Sequence, residues 1–118
     1  MRRKHWMSCR ITVTPDFLRE LKHLAKKYKS IKQDVANLGA DLRANPFLGT
    51  DLGRHLRKVR MSITSKGKGK SGGARVITYT VILAETDTEI KLLTIYDKSE
   101  RENLTDRELL ELMIKNGL

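Results

Sequence analysis

Between Arg54 and Arg75 the chain carries eight Lys or Arg residues and no Asp or Glu. Cationic side chains gathered this closely suit a protein that grips phosphates, with nucleic acid the leading partner and an anionic membrane surface or an acidic protein also compatible. Lys58 and Arg60 stand two apart, so on a strand both leave the same face. Arg75 opens the next apolar run, and Tyr96, Asp97 and Lys98 close the one after that. In a β-meander these positions converge on one side, with the pairing register left open by the sequence. Two cations alone would only solubilise a sheet face. Eight without an intervening acid point to nucleic-acid contact. Arg57 and the turn lysines Lys66, Lys68 and Lys70 extend the candidate nucleic-acid contacts, together with Lys26 and Lys27 from the first helix.

Other constellations are missing from the sequence. It holds no G-x-S-x-G elbow, Walker loop, H-E-x-x-H motif or paired cysteine. The glycine-lysine turn joins strand to strand without a helix N-terminus behind it, unlike a phosphate-binding loop. Cys9 and the three scattered histidines His5, His23 and His55 lack metal-ligand spacing, so neither metal nor cofactor is expected. His55 is of the residue type most used as a general base, but a single histidine at a strand entrance is more often structural or exposed. His23 lies on a polar helix face and reads as solvated. Tyr79 sits in an apolar run and reads as core, and Cys9 as buried and inert.

The elements that would position the cluster follow from periodicity. Arg57 to Ile63 alternates, with Val59, Met61 and Ile63 toward a core and Lys58, Arg60 and Ser62 toward water. Ser65 to Gly73 should stand out as a flexible, unpacked cationic tip. Ala74 to Ile82 returns as a β-branched strand, and Ile90 to Tyr96 is the last one. Upstream, Ser8 to Thr14 is a short strand. Thr14-Pro15-Asp16 caps and starts a helix with Phe17, Leu21, Leu24, Ala25 and Tyr28 on one stripe. Ser30 to Gln33 has a capping-box pattern opening a second helix that stops before Asn45-Pro46. Residues 46–53 read as a loop anchored by Phe47 and Leu48. Thr105 to Glu108 is another capping box, opening a terminal helix that Asn116-Gly117 stops. The order β-α-α-β-β-β-α describes an α+β fold, a helical hairpin on a twisted four-stranded antiparallel sheet with a short C-terminal helix.

Composition agrees with a globular chain. The 118 residues are 39% hydrophobic and 32% charged, suited to one domain over 8–118 behind a basic extension at 1–7, with Met7 an alternative start. No apolar run is long enough to span a membrane, no secretory signal is legible, and one cysteine suits a reducing cytosol. The net charge of +10 is uneven. Residues 1–30 carry nine basic and two acidic side chains, and residues 84–118 five and nine, which gives two surfaces different partners.

Five segments together resemble toxins of the RelE/ParE superfamily from bacterial type II toxin–antitoxin modules. They are Thr14-Pro15-Asp16-Phe17 through Tyr28, Asn45-Pro46 with Gly49-Thr50, Lys58-Val59-Arg60, Lys66-Gly67-Lys68-Gly69-Lys70-Ser71-Gly72-Gly73-Ala74-Arg75-Val76-Ile77, and Leu92 through Glu100. The fourth and fifth are similar to the RelE/HigB-like branch. The resemblance implies a compact fold of this order and a cognate antitoxin that masks the basic site. Within the superfamily, RelE-like members cut mRNA on the ribosome, whereas ParE-like members poison DNA gyrase. For a RelE-like mRNA interferase it implies metal-independent attack of the RNA 2′-hydroxyl on the adjacent phosphate, inhibiting translation in the bacterial cytoplasm. Position by position, Arg60 and Arg75 would clamp the scissile phosphate and Lys58 would assist proton transfer. Some RelE toxins carry an arginine and a later tyrosine near the C-terminus. Here Glu100-Arg101 is followed by no tyrosine, and Tyr96, Asp97 and Lys98 stand in that region instead.

Three functions remain open on sequence: a ribosome-dependent endoribonuclease with ribosome and mRNA as partners, a ParE-like gyrase inhibitor without catalysis, and a non-toxic nucleic-acid-binding module. Lys58, Arg60 and Arg75 together favour the first.

Overall fold

The computed structural model describes residues 8–118, so the basic extension expected over 1–7 lies outside the described residues. The elements run β1 (Ser8–Val13), α1 (Pro15–Ala25), α2 (Ile31–Ala44), β2 (Thr50–Gly53), β3 (Leu56–Met61), a 3-10 turn (Thr64–Lys66), β4 (Ala74–Ala84), β5 (Asp87–Asp97) and α3 (Asp106–Lys115).

Local chemistry sets most of these boundaries. The Thr14 hydroxyl accepts from the Phe17 N–H at 3.0 Å and donates to the Leu93 carbonyl at 2.8 Å, so one side chain caps α1 and ties it to β5. The capping box of Thr105 and Glu108 starts α3 as its spacing requires. The one expected at Ser30 does not form. Ser30 has helical dihedrals (φ −89°, ψ −6°), which turn its hydroxyl away from the free amides. That hydroxyl donates instead to Asp34 Oδ2 at 2.8 Å and accepts from the Ser65 N–H at 2.8 Å.

The α+β order is the one expected, with two differences in the sheet. It has five strands in the order β1-β5-β4-β3-β2, and β1 runs parallel to β5 while the other pairs are antiparallel. The additional strand, β2, comes from the second half of the segment expected to be a loop. Its Asp51 and Gly53 look like turn residues, but edge pairing needs only backbone. Phe47 does not anchor that segment in the core: it is 44% exposed, with the Arg57 guanidinium 5.3 Å above its ring.

Two apolar cores follow from strand alternation and from a one-residue slip at Leu93 of β5. Val59, Met61, Val76, Ile90, Leu92 and Ile95 face α1 and α2, meeting Phe17, Leu24, Ile31, Leu38 and Leu42. Full burial of a side chain such as Phe17 stabilises the fold by about 2–3 kcal/mol. On the opposite face Leu56, Ile77 and Leu93 pack against Leu109 and Met113 of α3, with Tyr79 and Tyr96 at the margin. Tyr79 is half-buried, with the His55 ring edge-on at 5.8 Å. Cys9, expected in the core, is only half-buried because the parallel pair β1–β5 puts it at the sheet margin.

The segment expected to project as a loose tip is folded. After the 3-10 turn, Gly72 donates to the Lys68 carbonyl at 3.3 Å, Gly73 to Lys70 at 3.4 Å, and the Lys98 N–H to Gly73 at 3.0 Å. A Cβ at Gly73 would sit 2.1 Å from the Met61 carbonyl oxygen, so only glycine lets the loop lie against β3.

Candidate active site

The α3-facing side of the sheet is apolar at one end and cationic at the other. Register places Leu56 opposite Tyr79, Lys58 opposite Ile77, and Arg60 opposite Arg75, which in turn faces Tyr96 on β5. Arg60, Arg75 and Tyr96 therefore form one row across three strands. Lys58, Arg60, Arg75 and Lys98 line a cavity of about 350 Å³ with Thr50, Glu102 and Asn103. Like charges directly opposite on neighbouring strands destabilise a sheet. Among the described residues, no carboxylate forms an ion pair with Lys58, Arg60, Arg75 or Lys98. With four cations against the one carboxylate of Glu102, the cavity has a net positive field, the signature of an anion site.

Each cation is held differently. Lys58 Nζ donates to Asn103 Oδ1 at 2.7 Å, reaching from β3 to the segment before α3. Arg60 is exposed and forms no side-chain hydrogen bond among the described residues. Arg75 is only 6% exposed. Its Nη1 donates to the carbonyls of Lys70 (2.9 Å) and Ala74 (3.1 Å), and its Nη2 to that of Ser71 (3.1 Å). A guanidinium has five N–H donors, so its Nε–H and one Nη2–H remain for a ligand. Burial raises the Tyr96 phenol above its ordinary pKa, against the Arg75 and Arg101 charges, and its hydroxyl has no hydrogen-bond partner. It therefore stays protonated at neutral pH.

Other sequence candidates lie elsewhere. Arg57 leaves the opposite face, 3.9 Å from Asp51 and against Phe47. Lys70 lines a second cleft, of about 460 Å³, between α2 and β3, which shares Thr50, Lys58 and Arg60 with the cationic cavity. Lys68 is exposed on the loop, and Lys26 at the end of α1. Lys27 pairs with Glu100 at 2.8 Å. Lys66, expected to be hydrated, is only 12% exposed, and its Nζ is 2.7 Å from Asp97 Oδ1. Asp97, at the end of β5, is fully buried. Burial alone would raise its carboxyl, but hydrogen bonds from Lys66, Tyr28 and Ser99 outweigh that and hold it far below the ordinary carboxylate range.

Thr50, Glu102 and Asn103 complete the cavity, none of them having been a site candidate on sequence. The polar run after the last strand marks the neighbourhood of Glu102 and Asn103, but nothing in it distinguishes Asn103. Among the described residues no three His, Cys, Asp or Glu side chains gather as metal ligands, and no helix is long and apolar enough to cross a membrane. In a comparison with protein families, the model described as the RelE toxin of the RelE/RelB toxin–antitoxin system matches residues 9–115.

Proposed function

The chain belongs to the RelE toxin family, and on that premise we propose that it is a ribosome-dependent endoribonuclease whose reaction takes place in the Lys58–Arg60–Arg75–Lys98 cavity. The observation that carries this reading is the cross-strand pair of Arg60 and Arg75, two cations without a carboxylate partner facing one space. A phosphate between them converts a repulsion into two attractions. As the 2′-oxygen attacks phosphorus, the non-bridging oxygens gain charge, and fixed cations stabilise that state more than the ground state. The remaining Nε–H and Nη2–H of Arg75 supply a two-pronged donor edge for those oxygens.

The protons balance with residues lining the cavity. Glu102, its one carboxylate among the described residues, accepts the 2′-hydroxyl proton. The 5′-oxygen leaves with a proton from the Lys98 ammonium, giving a 2′,3′-cyclic phosphate and a 5′-hydroxyl. Lys58, anchored on Asn103, adds positive charge beside the phosphate. Asp97 takes no part in proton transfer, because it is buried and its oxygens are already engaged.

Family membership brings a RelB-type antitoxin as partner. The antitoxin would silence the toxin by covering this cavity. Primer extension on a defined message, with and without ribosomes, tests the reading. Cuts confined to ribosome-bound message and lost in Arg60→Ala are expected. No cuts in either condition would overturn the nuclease reading, and inhibition of gyrase supercoiling would then replace it.

A further inference from the structure

We propose that Asp97 is a positioning residue for Arg75, acting through the loop that joins β3 to β4. The stretch of that loop from Lys66 to Gly73 is pinned at both ends by the end of β5. At its start, Lys66 Nζ bonds Asp97 Oδ1 at 2.7 Å. At its finish, the N–H of Lys98, the residue after Asp97, bonds the Gly73 carbonyl at 3.0 Å. Between these pins, the carbonyls of Lys70 and Ser71 hold the two Nη groups of Arg75. The loop thus works as a bracket, and its span sets the direction of the guanidinium.

Asp97 is built into the fold as a fixed post for that bracket. Its Oδ2 accepts from the Tyr28 hydroxyl at 2.6 Å, and its Oδ1 also accepts from the Ser99 N–H at 2.9 Å and the Ser99 hydroxyl at 2.8 Å. Its Cα partner on β4 is Ala74, the residue before Arg75. Between Lys68 and Gly73 the backbone bonds are few and long, 3.3 Å at Gly72 and 3.4 Å at Gly73, while Lys68, Gly69 and Lys70 are exposed. With Lys66 released, Thr64 and Ser65 stay bonded to Asp34 and Ser30 and Gly73 to Lys98, so the stretch between them, which carries the Lys70 and Ser71 carbonyls, is the part set loose. Lys66 therefore acts as a strut, and the loop's cationic look in the sequence conceals that role.

The kinetic side of this proposal rests on the nuclease reading, and the geometric side does not. Asp97→Asn is the test variant, removing the charge that holds Lys66, with Lys66→Met cutting the link outright should Asp97→Asn not fold. In the parent protein, NMR should show resolved Nη–H signals for Arg75, because bonded guanidinium groups rotate slowly. Averaging of those signals in a folded variant is the expected result, and unchanged signals would overturn the proposal. The second readout is a double-mutant cycle on kcat over ribosome-bound message. The rate penalty of Arg75→Ala should shrink about tenfold in the Asp97→Asn background, as for residues acting in one network. Penalties that simply multiply would mean that Asp97 only supports stability, overturning the proposal. If the parent protein cuts no message, the nuclease reading falls and the Arg75 signals alone decide this one.

Discussion

Replacing Lys66 with methionine leaves the Asp97 carboxylate fully buried without its cation. The two side chains are 12% and 0% exposed, so the pair is screened little by water. Removing one partner of such a pair costs about 3–5 kcal/mol. The lower end applies here, because Tyr28 and Ser99 still donate to the carboxylate. A chain of this length has an unfolding entropy near 0.25 kcal/mol/K, so a loss of about 3 kcal/mol lowers Tm by about 12 °C. Asp97 is held below its ordinary pKa in the fold, so it contributes stability above the unfolded carboxylate value of about 3.9. That contribution disappears as the pH falls through the depressed folded value. Lys66 is the strongest of the lowering interactions, so the Tm gap between variant and parent should be full at pH 7 and narrow below about pH 4. Thermal melts by circular dichroism at a series of pH values measure both. A drop below about 3 °C at pH 7, the scale of an exposed pair, would refute the reasoning.

Gly73→Ala should cost about 3 kcal/mol or prevent folding, because the added methyl meets the Met61 carbonyl and the Ile63 amide and backbone cannot rotate away; urea denaturation checks this. Thr105→Ala removes one half of the α3 capping box and should cost about 1 kcal/mol by the same method. Arg60→Ala should leave stability within about 0.5 kcal/mol, because the side chain is exposed and unbonded among the described residues. It should also flatten the slope of log K against log salt for single-stranded RNA by about 0.7, which fluorescence anisotropy reads; an unchanged slope would place the phosphate elsewhere.

The lysines show how far a sequence can be read. Lys58 and Arg60 are placed correctly on one face because alternation is a property of the strand alone, and Arg57 belongs to the opposite face for the same reason. Lys66 misleads because hydration is lysine's usual state, and its partner lies 31 positions away at the end of another strand. The lysine-glycine run looks flexible for the same reason. Its packing depends on a carbonyl of β3, the Lys98 amide just after β5 and the guanidinium of Arg75. Asn103 could not be found by type or spacing, because only the approach of the segment before α3 to β3 gives Lys58 that partner.

Periodicity, capping chemistry and charge counts in the sequence determine that this chain is an α+β protein with a basic face, since each depends on residues within a few positions of one another. Its resemblance to RelE toxins was legible there too, because the motifs are contiguous. Only the tertiary structure decides that β1 runs parallel to β5, that an edge strand precedes β3, and that Arg60 and Arg75 share one cavity with Lys98. The same holds for the turn lysine that became a strut for Asp97. Pairing register and buried ion pairs are settled by which distant surfaces desolvate together, and no local pattern of residue types carries that information.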